Sequence, residues 1–188
     1  ARPKLQRITA MHPHAAPPLV TSDWLNSPKP LDIPDFAGRI LVIHAFQMLC
    51  PGCVAQGLPQ AQRIAQTFPD DKLAVIGLHT VFEHRDAQGT RAALAAFAHE
   101  YRLGFPIGID RQDERIPATM RAYEMQGTPT LVIVDRNGFR RFQHFGHVDD
   151  LTLGSILGTL SSEPFSGART SEATAEACDD SGCAIPKT

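Results

Sequence analysis

The sequence of 188 residues has few cysteines, no long apolar run and no excess of either charge. Because no stretch of about 18 consecutive apolar residues is present, we expect no transmembrane helix. The 18 lysines and arginines nearly balance 20 aspartates and glutamates, and the formal net charge of −2 argues against a nucleic-acid-binding protein, which usually carries a basic excess. Hydrophobic residues make up 43% of the chain, which is enough to build an ordinary core. We therefore expect one globular domain with terminal extensions.

The amino terminus also lacks a basic stretch followed by an apolar one, the pattern of a signal peptide. We therefore expect a cytoplasmic protein if the amino terminus is complete. If a signal peptide has been removed, we expect a periplasmic or otherwise extracytoplasmic protein.

Composition divides the chain into three parts. Seven of the 15 prolines fall within the first 34 residues, and such spacing prevents helix formation. Residues 1–34 are therefore predicted to be an extended segment, anchored to the domain surface by Trp24 and Leu25. The domain is predicted to span residues 35–160. Residues 161–188 are predicted to be a flexible tail, because Ser, Thr, Ala, Glu and Gly dominate there without an apolar period.

Apolar periodicity predicts strands and helices in the order β-α-β-α-β-α-β-β-α. Continuous apolar runs are typical of strands buried on both faces, and Asn137-Gly138 indicates a hairpin turn. Strands that alternate with helices imply an α/β sheet closed by an antiparallel hairpin and a covering helix. The predicted strands are 40–43, 73–78, 105–110, 130–134 and 139–145, and the predicted helices are 54–68, 90–102, 117–125 and one that begins at Asp149 or Asp150 with Leu151 among its apolar positions.

Cys50 and Cys53 enclose Pro51 and Gly52 where the first of these strands leads into a helix. A helix amino terminus favours a thiolate, so Cys50 is the candidate nucleophile and Cys53 the candidate resolving cysteine. The same spacing also fits a zinc half-site or a structural disulfide. Zinc half-sites usually lie on turns of small antiparallel elements, so the position after a buried strand favours redox chemistry.

Three stretches of the chain together resemble the thioredoxin superfamily, and more closely the TlpA/ResA-like thiol-disulfide oxidoreductases of the AhpC/TSA-redoxin group. They are residues 40–53, the Gly-Thr-Pro-Thr sequence at 127–130, and the strand and turn of residues 131–138. The resemblance covers roughly residues 32–160. It implies a thioredoxin-like α/β fold, with a central mixed β-sheet flanked by helices and a helix-strand insertion before the cis-proline loop.

The resemblance also implies roles for individual residues. Pro129 is expected to be a cis proline that faces the cysteines, and the backbone of Thr128 is expected to bind an extended substrate segment. An ordinary turn before a strand is the alternative. Leu49 stands where a Trp usually precedes the first cysteine, and we expect it to form a less aromatic edge of the substrate site. His44 is either a proton-transfer group for Cys53 or a hydrogen-bonded core histidine.

Three further departures from the family pattern leave the direction of electron flow open. Pro51-Gly52 is not the dipeptide most often found between the cysteines, and that dipeptide helps to set the reduction potential. Gln56 replaces a frequent Glu, and Pro59 comes one residue later than the usual kink.

The histidines after the second strand are weaker candidates. His79, Glu83 and His84 could hold a metal, but adjacent residues of an extended stretch point in opposite directions. We therefore expect these side chains, and those of His144 and His147, to be solvated.

A second cysteine pair, Cys178 and Cys183, lies in the predicted tail. The pair could form a local disulfide, exchange electrons with Cys50 and Cys53, or bind a metal. The neighbouring Asp179 and Asp180 should disfavour thiolates, which makes Cys178 a better target than nucleophile. A local disulfide or a relay is therefore favoured over a metal site.

These observations predict a monomeric thiol-disulfide oxidoreductase that acts on protein or small-molecule disulfides and exchanges electrons with an upstream redox partner. No organic cofactor, metal or nucleic acid is implied. One alternative is a peroxiredoxin-like thiol peroxidase, but Ile43 and Gln47 stand where that pattern has Pro and Thr before the reactive cysteine. The other is a redoxin-type copper or zinc carrier, although such carriers commonly use Cys-x-x-x-Cys with a distant His.

Overall fold

The computed structural model describes residues 14–165 and residue 167. Within these residues, seven strands form one mixed sheet in the order β1-β7-β6-β3-β4-β5-β2. The central strand β3 is parallel to β4 and antiparallel to β6, while β5 is parallel to β4 and β7 is antiparallel to β6. The strands are β1 (His14–Ala15), β2 (Thr21–Leu25), β3 (Ile40–Phe46), β4 (Leu73–His79), β5 (Ile107–Asp110), β6 (Thr130–Val134) and β7 (Phe139–Phe145).

Helices cover the sheet on both sides, which matches the predicted α/β architecture. On one face, apolar residues of α1, α3 and α5 enclose Ile40, Val42 and Phe46 of β3. On the other face, Trp24, Tyr123 and other apolar side chains enclose Leu41, Ile43 and Ala45 of the same strand. The helices are α1 (Leu58–Thr67), α2 (Arg85–Gln88), α3 (Arg91–Glu100), α4 (Ala118–Ala122) and α5 (Asp150–Ser162).

The β3 strand explains why one end of the sheet carries the chemistry. All seven of its residues are buried, as expected for a continuous apolar run with neighbours on both edges and both faces. Because β3 and β4 are parallel, their carboxyl ends meet at one edge of the sheet. The segment that contains Cys50 leaves β3 at that edge, where ligands gather in open α/β sheets.

The proline-rich amino-terminal segment is part of the sheet, so the predicted start of the domain at residue 35 is too late. β2 pairs antiparallel with β5 and β1 pairs antiparallel with β7, so the two strands form opposite edges. Trp24 and Leu25 are buried, as predicted. The Tyr123 hydroxyl also donates a 2.7 Å hydrogen bond to the Pro17 carbonyl, which fixes the chain between the two strands.

The predicted kink near Pro59 takes the form of a π-helical turn, Cys53–Gly57, ahead of α1. The Leu58 N–H donates to the Cys53 carbonyl in place of the usual α-helical partner. Pro59 follows in the first turn of α1, where its lack of an N–H costs little. The wider π-helical turn therefore lets the segment that begins at Cys53 continue into α1, although Pro59 cannot donate a backbone hydrogen bond.

The last helix begins where the sequence indicates, since the Asp149 carboxylate accepts a hydrogen bond from the Thr152 N–H. Leu153, Leu157 and Leu160 are buried, but Leu151 is 87% exposed and does not belong to the apolar face. Among the helices of the described part of the chain, none has the length and apolar character needed to cross a membrane. Cys178 and Cys183 lie outside the described residues.

Candidate functional site

Cys50 lies at the beginning of the helical segment that follows β3. Its carbonyl accepts a 3.1 Å hydrogen bond from the Val54 N–H, so the residue opens the first helical turn. Its sulfur accepts a hydrogen bond from the Cys53 N–H at 3.3 Å. The side chain is partly exposed. A sulfur in this position is accessible to a substrate and is directed at the free N–H groups of a helix amino terminus.

Cys53 occupies a contrasting environment one turn later. It is completely buried, and burial together with the neighbouring Cys50 side chain raises the pKa of its thiol to about 12. Both cysteines are free thiols in this structure. The two thiols therefore differ in environment: the Cys50 thiol is partly accessible, and the Cys53 thiol is buried and protonated.

The loop of Thr128 and Pro129 faces the cysteine pair. The Thr128–Pro129 peptide bond is cis. The Cys50 sulfur lies 3.5 Å from the Thr128 carbonyl oxygen, to which its S–H donates. Gly52 lies so close that a Cβ atom there would be 3.4 Å from the Pro129 side chain. Four residues singled out from the sequence, Cys50, Cys53, Thr128 and Pro129, thus belong to one site.

Leu49 forms one edge of the opening above Cys50. Its side chain is 56% exposed, and Phe145 at the end of β7 is 50% exposed. Both line a cavity of about 320 Å³ that also contains Cys50, Phe82 and Thr128. An apolar side chain beside a substrate disulfide can therefore bury surface on Leu49 and Phe145. Phe145 carried no signal in the sequence, because only the β6–β7 pairing brings it to Gly127.

His44 is buried below the π-helical turn. Only 3% of its surface is exposed, and burial lowers its pKa to about 4, so the imidazole is neutral at pH 7. Its Nε2 atom has no hydrogen-bond partner among the described residues, and it faces Gly57, where a Cβ atom would lie 2.2 Å away. Among the described residues, His44 Nε2 makes no hydrogen bond to Cys53. Proton transfer by His44 therefore remains a prediction.

Two glutamines, Gln47 and Gln88, also belong to this region. Their side chains are 3% and 1% exposed, and the Gln88 amide donates to the Gln47 amide oxygen at 3.1 Å. Sequence reasoning considered Gln47 only as a replacement for a peroxidase threonine, and it gave no role to Gln88. The residues are 41 positions apart, so no local pattern could indicate that they meet.

His79 corrects the prediction of a solvated loop. It ends β4, is 1% exposed and lies with its ring centroid 5.3 Å from that of Phe46. Glu83 and His84 are exposed, as expected. Within residues 14–165 and 167, no three His, Cys, Asp or Glu side chains come together as metal ligands.

Comparison with known protein sequences supports a thioredoxin-like, redox-active family for this chain. The sequence model of the AhpC/TSA family matches residues 14–142. Protein DipZ of Mycobacterium tuberculosis is 30% identical over 129 residues, which are 67% of this chain and 17% of DipZ. The thiol-disulfide oxidoreductase ResA of Bacillus cereus is 25% identical over 123 residues, 65% of this chain and 63% of ResA. The chain thus spans less than two thirds of the length of these curated relatives.

Solved structures extend the comparison to the fold. A thioredoxin-like superfamily protein is 50% identical with a TM-score of 0.78, and the match covers 80% of this chain and 98% of that one. A thiol-disulfide isomerase from Corynebacterium glutamicum is 44% identical with a TM-score of 0.75, covering 79% of this chain and 98% of the other. The predicted thioredoxin-like fold is therefore confirmed, and the chain belongs to the AhpC/TSA family as a TlpA/ResA-like member of the thioredoxin superfamily.

Proposed function

We propose that this protein is a thiol-disulfide oxidoreductase in which Cys50 attacks the substrate and Cys53 resolves the intermediate. The observation that carries the proposal is the contrast between the two sulfurs. Cys50 is accessible and accepts a hydrogen bond from the Cys53 N–H, whereas Cys53 is buried with a pKa raised to about 12. A thiolate at Cys50 is stabilised by that N–H and by the helix amino terminus.

The reaction transfers two electrons. The Cys50 thiolate attacks one sulfur of the substrate disulfide, which forms a mixed disulfide and releases the other sulfur as a thiolate. Cys53 then loses its proton and attacks the Cys50 sulfur, which breaks the mixed disulfide and forms the Cys50–Cys53 disulfide. The substrate leaves as a dithiol. Because burial holds the proton on Cys53, its deprotonation must accompany this second attack. His44, the proton-transfer candidate from the sequence, would be a weak acceptor for this proton, because burial lowers its pKa to about 4.

The proposed substrates are disulfides of proteins or small molecules. The Thr128 backbone beside Cys50 supports binding of an extended segment, and Leu49 and Phe145 offer an apolar surface next to the reacting sulfur. ResA and the Corynebacterium protein carry names of thiol-disulfide enzymes, which supports this substrate class. An upstream dithiol partner would return the Cys50–Cys53 disulfide to the reduced state, and the protein would act as a monomer.

A thiol peroxidase is a weaker candidate. Gln47 replaces the threonine of the peroxidase pattern, and its amide oxygen already accepts hydrogen bonds from the N–H groups of Phe82 and Glu83 and from Gln88. Its amide nitrogen donates to the Thr128 hydroxyl at 3.4 Å. The amide therefore has little capacity left to bind a peroxide, and a peroxide-consumption assay separates the two activities. Metal analysis of protein purified without chelator tests the copper or zinc carrier.

The tail cysteines, Cys178 and Cys183, are proposed to exchange electrons with Cys50 and Cys53. The proposal rests on the sequence alone: the chain has two pairs of cysteines and no others. Asp179 and Asp180 should make the tail thiols poor leaving groups, so electrons would pass from the tail pair to the active site.

Two cysteine variants test the central proposal. With dithiothreitol as electron donor and a disulfide-bonded protein as acceptor, Cys50→Ser should abolish turnover. Cys53→Ser should instead accumulate a mixed disulfide between Cys50 and the acceptor, because attack proceeds and resolution fails. Mass spectrometry after acid quenching detects the adduct. Turnover by Cys50→Ser, or a mixed disulfide formed through Cys53, would contradict the assignment.

A further inference from the structure

The Gln47 and Gln88 side chains form a buried amide pair beside Cys50. The Gln88 amide nitrogen donates to the Gln47 amide oxygen at 3.1 Å and to the Glu83 carbonyl at 2.8 Å. The Gln88 oxygen accepts a hydrogen bond from the Leu49 N–H at 3.1 Å. Burial of an amide costs free energy unless its hydrogen bonds are made. In both glutamines the amide nitrogen and the amide oxygen are hydrogen-bonded.

This amide pair contacts the backbone or side chain of residues on either side of the Cys50 sulfur. Gln88 holds the N–H of Leu49, the residue directly before Cys50. Gln47 donates to the hydroxyl of Thr128, the residue whose carbonyl oxygen is 3.5 Å from the sulfur. The pair therefore connects residues 47–50, the cysteine loop, to the loop before Pro129.

The third element connected by the pair is the segment between β4 and α3. The Gln47 oxygen accepts from the N–H groups of Phe82 and Glu83 at 3.3 and 3.2 Å, and Gln88 is the last residue of α2. Arg85 of the same helix donates to the carbonyls of Glu114 and Arg115, which ties this segment to the body of the domain. The cysteine loop is thus held against an anchored segment rather than against solvent.

We propose that Gln47 and Gln88 act as one positioning unit that sets the reactivity of Cys50 by holding Leu49 and Thr128 in place around its sulfur. The inference deepens the proposed function and rests on Cys50 being the nucleophile. Gln47 and Gln88 are positioning residues, because their proposed effect on Cys50 passes through Leu49 and Thr128. If the unit is broken, the Leu49 N–H loses the acceptor that holds it against Gln88, so we expect the loop to move until this N–H finds water or another acceptor. That shift carries Cys50 away from the Cys53 N–H.

The test is the rate at which Cys50 of the reduced protein reacts with iodoacetamide at pH 7. Gln88→Met keeps the length of the side chain and removes its hydrogen bonds. We expect the rate to fall about tenfold, since displacement of a reacting group by 1 Å can cost roughly a hundredfold. Gln60→Met is the matched control, because Gln60 is also buried and donates to Val148 and Asp150 at 2.7 Å outside this cavity. Its rate should stay within about twofold of the wild type by the same reasoning.

The double variant Gln47→Met/Gln88→Met tests whether the two residues act as a unit. We expect its rate to resemble that of either single variant, since a unit can be broken only once. A rate equal to the product of two independent effects would overturn the inference. So would an unchanged rate in Gln88→Met when its denaturation midpoint falls, because a purely structural role moves only the midpoint.

Two precautions keep the result interpretable. If Gln88→Met does not fold, Gln88→Asn retains the amide group on a shorter side chain and is measured in the same way. If neither variant folds while Gln60→Met does, the pair serves folding alone and the inference is overturned. Because alkylation needs no disulfide substrate, a wild-type protein without oxidoreductase activity would refute the proposed function and still leave the effect of Gln88 on Cys50 measurable.

Discussion

At the scale of single residues, the described part of the chain contains two histidines that burial keeps neutral. His44 and His79 are 3% and 1% exposed, and burial lowers the pKa of each from 6.5 to about 4. In the unfolded chain both would bind protons below pH 6.5. The folded state resists this protonation, so the two residues couple folding to pH.

We therefore expect the protein to lose stability as the pH falls from about 6.5 to about 4. In this window the unfolded state binds more protons than the folded state, so the free energy of unfolding decreases by roughly 1.4 kcal/mol per pH unit for each histidine. Burial raises the pKa of Asp110, which opposes part of this loss at the acidic end. Urea unfolding at pH 7, 6, 5 and 4.5 measures the slope.

A histidine variant tests whether the buried histidines cause this pH dependence of stability. His79→Phe should make the pH dependence shallower, because one buried titrating group is removed. His99→Gln, at an exposed position of α3, serves as the control and should retain the wild-type slope. Equal slopes in His79→Phe and the wild type would show that the acid loss arises elsewhere.

The two active-site thiols should also differ in chemical reactivity. In the reduced protein, iodoacetamide at pH 7 to 9 should label Cys50 and leave Cys53 unlabelled, since burial and the neighbouring Cys50 raise the Cys53 pKa to about 12. Peptide mapping identifies the labelled residue, and labelling of both cysteines in urea shows that each can react. Equal labelling of both thiols in the folded protein would contradict the contrast on which the proposed mechanism depends.

The sequence indicated the residues of the site whose signals are local. Cys50 and Cys53 share one motif, and the Gly-Thr-Pro-Thr sequence marked Thr128 and Pro129. The sequence did not indicate that Gln88 and Phe145 belong to the site, because they reach it through contacts with residues distant in sequence. Periodicity reports which face of an element is apolar, but it does not report which polar side chains meet at the end of a sheet.

At the scale of elements, the π-helical turn before α1 depends on a glycine. A methyl group at Gly57 would lie 2.2 and 2.3 Å from two atoms of the His44 ring, which is enclosed in the core. The sequence predicted a kink near Pro59 but not its form, because the hydrogen-bond pattern depends on what lies below the helix. The proline-rich segment is a second case. Its prolines excluded a helix, but the pairing of β2 with β5 could not be predicted, because it depends on which strand forms the edge of the folded sheet.

Gly57→Ala should therefore destabilise the protein, although alanine favours helices over glycine by about 1 kcal/mol. Overpacking of a core typically costs roughly 1–3 kcal/mol, so after the gain in helix propensity we expect a net loss of about 1 kcal/mol in denaturant unfolding. Gly154→Ala in α5 is the control, since nothing lies within 4 Å of its added Cβ atom and its stability should not fall. Adding His44→Ala to Gly57→Ala should recover part of the loss. A Gly57→Ala variant as stable as the wild type would contradict the close contact.

At the scale of the whole molecule, the cysteine site and the carboxyl-terminal end of the domain lie at opposite ends of the central sheet. Leu41 pairs with Val134 near one end of β3, whereas Cys50 follows the other end. Just beyond Val134, the Arg136 guanidinium donates to the Glu163 carbonyl. Arg141 also binds the Glu163 carboxylate through two hydrogen bonds, at 2.5 and 2.8 Å. The chain is therefore anchored about one strand length away from Cys50.

This anchor sets the reach of the proposed tail relay. Cys178 follows Glu163 by 15 residues, and a chain of that length can reach at most roughly 50 Å. The seven residues of β3 extend over roughly 20 Å. The maximum reach exceeds this length, so the sequence separation permits contact between Cys178 and Cys50 within one molecule. A relay within one molecule would make the exchange independent of protein concentration.

The double variant Cys178→Ser/Cys183→Ser tests this relay and leaves the Glu163 anchor in place. With a dithiol donor and a disulfide acceptor, we expect turnover to fall while the reduction potential of Cys50 and Cys53 stays unchanged, because only the electron supply is altered. Partly oxidised wild-type protein should contain a Cys50–Cys178 or Cys50–Cys183 disulfide, in a proportion that does not change on dilution. Ser181→Ala controls for substitution within the tail and should keep wild-type turnover. Unchanged turnover without a mixed species would reduce the tail pair to a local disulfide, because two cysteines five positions apart close their own small loop at little entropic cost.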